Sequence, residues 1–187
     1  MSRAAAPPTK ITSHSSCMIS QDTDIRGDIA FDEGTIVHPK SSILALGGAI
    51  SFGKNCIIEE GVIIVNRGKD TMKIGDSNHF MVGCRIESPS IGEWNTFQPR
   101  STCSSGVIIS DNCTLSAGTT LLHSLSSSAS TSESMETLPP CTVIYGSNSD
   151  RRVWDGTGQK AGRNLREKHL EYLREIIPKY NRIRPNT

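Results

Sequence analysis

Hydrophobic residues recur every six positions along most of this chain, from Ile25 to Ile144. This period fits neither the 3.6-residue repeat of an amphipathic helix nor the two-residue alternation of a half-buried strand. It is typical of a parallel β-helix, in which one short strand forms every six residues and three strands complete a coil. The anchor positions of the repeat are Ile25, Phe31, Val37, Ile43, Phe52, Ile58, Ile64, Ile74, Phe80, Ile86, Ile91, Phe97, Cys103, Ile109, Leu115, Leu121, Leu138 and Ile144.

A small residue follows each anchor by four positions, and Gly or Asn often precedes that small residue. Gly and Asn tolerate the left-handed backbone values that tight corners need, so the pattern predicts a corner after each strand. Cys56, Cys84 and Cys113 occupy the small-residue position, and Cys103 occupies an anchor. Because buried cysteine behaves as a small hydrophobe and no CxxC pair is present, we expect structural thiols and neither disulfides nor a zinc site.

Changes in composition divide the chain into segments. We expect a disordered leader over 1–10 and a β-helix over 11–153. A flexible Ser-rich insertion is predicted at 124–137, where little could be buried. An amphipathic helix is predicted over 158–178, followed by a tail over 179–187.

The helix has an apolar stripe with charged residues between its members. We expect Pro178 to end the helix. The stripe has to be buried against a flank of the β-helix or against another protein, so its residues are candidates for partner binding. They are Leu165, Leu170, Leu173, Ile176 and Ile177.

Charge and composition narrow the function classes. The formal net charge is +1 and aromatic residues make up 5% of the chain, so nothing implies a nucleic-acid partner. No apolar run has the length of a membrane span, and no signal segment is recognisable. We therefore expect an intracellular protein without direct membrane insertion.

Enzymes with this repeat suggest two alternatives, both acting as homotrimers. A zinc site like that of γ-class carbonic anhydrases needs two histidines five residues apart, but Cys84 lies five residues after His79 and Asn66 stands where a further ligand would be. Catalytic zinc needs three protein ligands. For acyl transfer, His38 and His123 lack a carboxylate nearby in sequence. We therefore predict no catalytic residue, no metal site and no cofactor.

Several motifs in a fixed order resemble the dynactin subunit 6 family: RGD at 26–28, VHPK at 37–40, IIEE at 57–60, VIYG at 143–146, RRV at 151–153 and IIPKY at 176–180. The resemblance implies an all-β, left-handed parallel β-helix with a C-terminal α-helix packed on it and no enzymatic activity. It also implies a cytoplasmic, cytoskeleton-associated protein of the dynactin pointed-end complex, which supports dynein-driven transport on microtubules and cargo attachment. The partners it implies are dynactin subunit 5, as a heterodimer, an actin-related protein 11-type subunit and dynactin subunit 4.

Overall fold

A computed structural model describes residues 8–123 and 135–185. Most of the predicted leader and of the predicted Ser-rich insertion lies outside these residues. The described chain forms short strands that coil into three parallel sheets, and one long helix follows them.

The three sheets are the three sides of the coil. Sheet A contains β1 (Lys10–Ser13), β4 (Asp28–Phe31), β7 (Ile50–Phe52), β10 (Met72–Ile74), β13 (Ser90–Ile91), β16 (Val107–Ile109) and β19 (Glu136–Leu138). Sheet B contains β2 (Met18–Ile19), β5 (Ile36–Val37), β8 (Ile57–Ile58), β11 (His79–Phe80), β14 (Thr96–Phe97), β17 (Thr114–Leu115), β20 (Thr142–Tyr145) and the antiparallel β21 (Asp150–Val153). Sheet C contains β3 (Asp24–Arg26), β6 (Ser42–Ala45), β9 (Ile63–Asn66), β12 (Arg85–Ile86), β15 (Thr102–Cys103) and β18 (Thr120–Leu121).

The anchors of the six-residue repeat fill the interior of the coil. Every predicted anchor is buried and belongs to one continuous core. Equivalent rings stack from coil to coil, with centroid distances of 4.9 Å between Phe31 and Phe52 and 4.8 Å between Phe80 and Phe97. The predicted left-handed parallel β-helix of three-sided coils, with a C-terminal helix packed on it, is confirmed.

Corners have the positive φ angles that the Gly and Asn positions predict. Asn55 and Asn112 have φ values of 55° and 57°. Gly27 combines a φ of +86° with a close approach, because a Cβ there would lie 2.2 Å from the carbonyl oxygen of Ala45. Only glycine fits this corner.

Five of the six cysteines are core residues, and Cys141 is half-buried. Cys56, Cys84, Cys103 and Cys113 are fully buried, and none of the six cysteines forms a disulfide. Burial raises the pKa of Cys56 to about 12 and that of Cys113 to about 11. These thiols therefore stay protonated at neutral pH, and thiolate is the nucleophilic form of cysteine.

Three predicted boundaries differ from the structure, and the first is that strand β1 begins at Lys10, inside the predicted leader. The helix α1 (Gln159–Tyr180) continues through Pro178, so the prediction that Pro178 ends it was wrong. The missing amide of Pro178 removes only one hydrogen bond in the last turn, and Asn181 N–H closes that turn on the Ile177 carbonyl at 2.9 Å. Strand β19 begins at Glu136, inside the range assigned to the insertion, because Leu138 draws it into the core.

The tail after α1 returns to the first coil. Arg184 N–H donates to the Ile19 carbonyl at 2.7 Å, and Gln21 N–H donates to the Arg182 carbonyl at 2.8 Å. Ile183 thereby forms an antiparallel bridge with Ser20. The tail thus pairs next to the first strand of sheet B, and β21 pairs with its last parallel strand. The backbone groups at these two edges are therefore not available for pairing with another chain.

Candidate interaction surface along the C-terminal helix

The outward side of sheet B carries a column of residues that changes from apolar to polar along the stack. Residues directly before the anchors pair from coil to coil and point away from the core. The apolar end of the column begins at the first coil, the polar end runs from His79 to Thr114, and Val143 follows at the last coil. The column contains Met18, Ile36, Ile57, His79, Thr96, Thr114 and Val143.

The C-terminal half of α1 covers the apolar end of this column. Leu170, Leu173 and Ile177 form a second buried cluster with Ile36 and Ile57. Ile36 and Ile57 have no exposed surface. Although these two isoleucines point away from the β-helix core, they are buried because the helix lies over them.

The predicted apolar stripe of the helix divides in the structure. Leu170, Leu173 and Ile177 lie within the chain's own interior. Ile176 is half-buried and Leu165 is 70% exposed. The sequence predicts the stripe but not Ile36 and Ile57, the outward isoleucines on which it packs. Their apolar character at positions directly before anchors is the sequence feature that could have indicated this contact.

The N-terminal half of α1 is held by arginines instead. The Arg166 guanidinium donates to the carbonyls of Ser77 and Asn95 and to Thr96 Oγ1. The Arg163 guanidinium lies over the Trp94 ring, with its Cζ 4.6 Å from the ring centroid. Charge-assisted hydrogen bonds and cation–π contacts therefore fix this half of the helix.

Three histidines meet between the two halves. His79 Nε2 lies 2.6 Å from Glu59 Oε1, and the rings of His79 and His169 are 5.5 Å apart between centroids. Val82 N–H donates to the other carboxylate oxygen of Glu59 at 3.0 Å. His38 lies close enough to interact with the charges of this group. Sequence inspection missed the Glu59–His79 pair, because the two residues lie one coil apart.

The environment shifts the pKa values in this cluster. Burial lowers the pKa of His38 and of His169, and the neighbouring His79 lowers both further. Burial would raise the pKa of Glu59, but the hydrogen bond and charge of His79 and the bond from Val82 outweigh it and lower the pKa. The cluster therefore favours neutral His38 and His169 beside an ionised Glu59.

An open groove of about 590 Å³ runs between the helix and the cluster. Its walls combine Leu165, Met81 and Tyr172 with the polar groups Lys168 and His169. Tyr172 is 58% exposed. This strip beside α1, which we call the helix groove, is apolar surface that a partner protein could cover.

The remaining histidines lie apart from the cluster. His14 is exposed and contacts Ser16 Oγ, and the backbone of His123 donates to Ser104 Oγ. Within residues 8–123 and 135–185, no group of three His, Cys, Asp or Glu side chains is arranged to hold a metal ion. In the same part of the chain, no helix has the length and apolar character needed to cross a lipid bilayer.

Comparison with solved structures concerns the fold. A hexapeptide transferase family protein from Anaplasma phagocytophilum superimposes with a TM-score of 0.63 at 14% identity, covering 89% of this chain and 92% of that one. A putative acetyltransferase from Bacillus cereus gives a TM-score of 0.56 at 15% identity, covering 89% and 91%. Both have the same β-helix architecture, and identities this low carry no statement about activity.

Comparison by sequence is more specific, although no protein-family model matches the chain. A dynactin subunit 6 from Nematostella vectensis is 29% identical over 199 residues, covering 100% of this chain and 99% of the relative. That from Danio rerio is also 29% identical, covering 96% and 93%. A dynactin subunit 6 from Dictyostelium discoideum is 39% identical over 103 residues, covering 54% of each chain. The chain is thus similar along its whole length to dynactin subunit 6 proteins, and it has the β-helix that its motifs predict.

Proposed function

We propose that this chain is a non-enzymatic structural subunit of dynactin. Its place would be the pointed-end complex, where it pairs with dynactin subunit 5 beside an actin-related protein 11-type subunit and dynactin subunit 4. In this role it would be cytoplasmic, associate with the cytoskeleton and support dynein-driven transport and cargo attachment. The observation that carries the proposal is the full-length similarity to dynactin subunit 6 relatives.

The arrangement of the histidines supports a role without catalysis. His79 is buried and bound to Glu59, and both side chains line the helix groove. The Nε2 atom of His38 is buried and has no hydrogen-bond partner. A general base has to be within hydrogen-bond reach of the substrate proton that it removes, and the buried Nε2 atom of His38 is not accessible for such a contact.

The helix groove is our candidate for the contact with dynactin subunit 5. Among the stripe residues predicted to bind a partner, Leu165 and Ile176 retain accessible surface. Leu170, Leu173 and Ile177 would act by holding α1 in place. Leu165 and Tyr172 together offer an exposed apolar contact of the kind that is enriched at the centres of protein interfaces.

The deciding experiment is native mass spectrometry of the purified chain, alone and mixed with dynactin subunit 5. We expect a one-to-one heteromer without bound metal. A zinc-loaded homotrimer that ignores dynactin subunit 5 would contradict the proposal and favour a carbonic anhydrase-like enzyme. A homotrimer that binds an acyl donor would favour an acyltransferase.

Matched variants locate the contact. Leu165→Asp should weaken the heteromer by roughly 10-fold or more, because it places a charge at an apolar interface. Val153→Asp is the control, since Val153 is also exposed (68%) but lies on β21, away from the groove. Equal heteromer formation by both variants would rule out the helix groove while leaving the subunit assignment in place.

A further inference from the structure

A second, smaller cavity lies at the start of α1, where the helix crosses the polar end of the sheet B column. Its volume is about 170 Å³. At ~30 Å³ per water molecule, this volume corresponds to between five and six waters. It is smaller than the roughly 300 Å³ or more of a typical drug-sized pocket, so it suits one compact chemical group. The lining residues are Trp94, Thr96, Asn112, Thr114, Trp154, Gly158, Gln159, Gly162, Arg163 and Arg166.

The charge of this cavity is uncompensated. Arg163 and Arg166 both line it, and the lining contains no Asp or Glu. Neither guanidinium forms an ion pair among the described residues. Burial lowers the pKa of Arg166 to about 10, which reflects the cost of removing a cation from water without an opposite charge.

The two arginines donate hydrogen bonds to neutral groups, and those of Arg163 are incomplete. Arg166 contacts only neutral acceptors, namely two backbone carbonyls and the Thr96 hydroxyl. Arg163 donates from Nη2 to Asn112 Oδ1 at 3.1 Å, but its Nε–H is buried without a partner. Buried donors are satisfied in the great majority of cases, so an orphaned guanidinium N–H beside a cavity indicates a missing acceptor.

The walls strengthen any charge interaction inside. Trp94 and Trp154 provide the aromatic sides of the cavity, and water-poor surroundings increase electrostatic attraction. Trp94 has a φ of 61° at a corner whose equivalents are Gly34, Asn55, Ser77 and Asn112. A bulky aromatic residue is uncommon in this left-handed conformation, and here it places the indole against both arginines.

Space for a ligand group remains next to the helix. Gly162 lines the cavity, and a Cβ built there would meet no atom within 4 Å. The first turn of α1 contains no acidic residue that could neutralise the arginines from within the chain. The amides of Asn112 and Gln159 and the hydroxyl of Thr114 add polar groups to the wall.

We propose that this cavity binds a phosphate group, either as inorganic phosphate or as the phosphate of a phosphorylated side chain. Two guanidinium groups match the double negative charge and the several acceptor oxygens of phosphate. The unpaired Nε–H of Arg163 would gain an acceptor, and Arg166 would gain an opposite charge. The inference concerns this cavity alone and does not depend on the proposed dynactin role.

The two tryptophans of the chain give a direct readout, because both line the cavity. Intrinsic fluorescence of the full chain is titrated with inorganic phosphate, O-phosphoserine and acetate at constant ionic strength. We expect saturable changes with both phosphates and a much weaker one with acetate. A tighter response to O-phosphoserine would identify a phosphorylated side chain as the source, and a tighter response to inorganic phosphate would identify the free anion.

Variants test whether the arginines carry the binding. Arg163→Gln should weaken phosphate binding by roughly 10-fold or more, since a hydrogen bond to a charged group is lost. Arg174→Gln is the matched control, because Arg174 lies on the same helix but bonds Asn55 Oδ1 outside the cavity. Should Arg163→Gln fail to fold, Arg166→Lys tests the same point with the charge retained and the guanidinium geometry removed. The proposal is overturned by no saturable response, by equal responses to acetate and phosphate, or by wild-type binding in the arginine variants.

Discussion

The two halves of α1 lie against the same side of sheet B, but they contact it through different kinds of side chain. The C-terminal half buries Leu170, Leu173 and Ile177 on outward isoleucines. The N-terminal half relies on Arg163 and Arg166, with Trp94 and backbone carbonyls as their contacts. One helix thus combines an apolar attachment at the first coils with a polar attachment farther along the stack.

The two attachments differ in what they contribute. Burying an aliphatic side chain stabilises a protein by about 1.5–3 kcal/mol, without a strict requirement for direction. A cation–π contact contributes about 0.5–2 kcal/mol, and desolvation of an arginine opposes that gain. The apolar half therefore accounts for most of the docking free energy, while the directional bonds of the polar half fix where the helix starts on the sheet.

The largest effect is expected in the apolar half. Leu173→Asp should lower the free energy of unfolding by about 4 kcal/mol or more, because it leaves a cavity and buries a carboxylate without a partner. Urea denaturation measures the loss, and trypsin should cleave within α1 under native conditions. Leu165→Asp is the control, since Leu165 is exposed and its substitution should leave stability nearly unchanged. Equal stability of the two variants would contradict the view that the apolar half holds the helix.

A smaller effect is expected in the polar half. Arg166→Met should lower the free energy of unfolding by about 1–2 kcal/mol, because the lost hydrogen bonds are partly offset by removal of a desolvated charge. Urea denaturation followed by tryptophan fluorescence reports on this half, since Trp94 and Trp154 lie beside Arg166. A loss as large as that of Leu173→Asp would show that the arginine attachment is an equal support of the helix.

The sequence predicts the apolar half better than the polar half, and chain geometry explains why. Anchors such as Phe52 and Phe80 recur at a local spacing, and stacking of equal coils turns that spacing directly into a core. The amphipathic stripe of α1 is likewise local. Ile36 and Ile57 stand directly before anchors, so their apolar character could have indicated that the outward side of sheet B is covered.

The polar contacts depend on separations that no local pattern encodes. Arg166 bonds residues 70 to 89 positions away. The Glu59–His79 pair forms because the loops and corners between them set the length of one coil. The extra residues at 66–73 contribute to that length, and only the folded chain shows which side chains become neighbours. The local patterns in the sequence consequently predict no particular role for the two arginines or for Trp94.

The histidine cluster between the two halves of α1 should make the stability of the protein depend on pH. Burial lowers the pKa of His38 and His169 below the ordinary 6.5. A lowered pKa in the folded state means that the unfolded chain binds protons first, so stability present above pH 6.5 is lost as the pH falls below it. The groups that act on these histidines are His79, Glu59, Glu60 and Arg166, and Glu59 has its own lowered pKa. The stability that ionised Glu59 contributes is lost only below pH 4.5. The pH range in which the histidines act can therefore be separated from that of Glu59.

We expect the free energy of unfolding to fall as the pH drops from neutral through the range in which the histidines titrate, and the fall should be modest because His169 is partly exposed to solvent. Urea denaturation at a series of pH values measures this slope. His169→Gln should reduce the slope, since one of the two titrating groups with a lowered pKa is removed. His14→Gln is the matched control, because His14 is exposed beside Ser16 and is not part of the histidine cluster. A slope that is unchanged in His169→Gln would show that other groups cause the acid sensitivity. The histidine cluster would then be only a structural contact between the two halves of the helix.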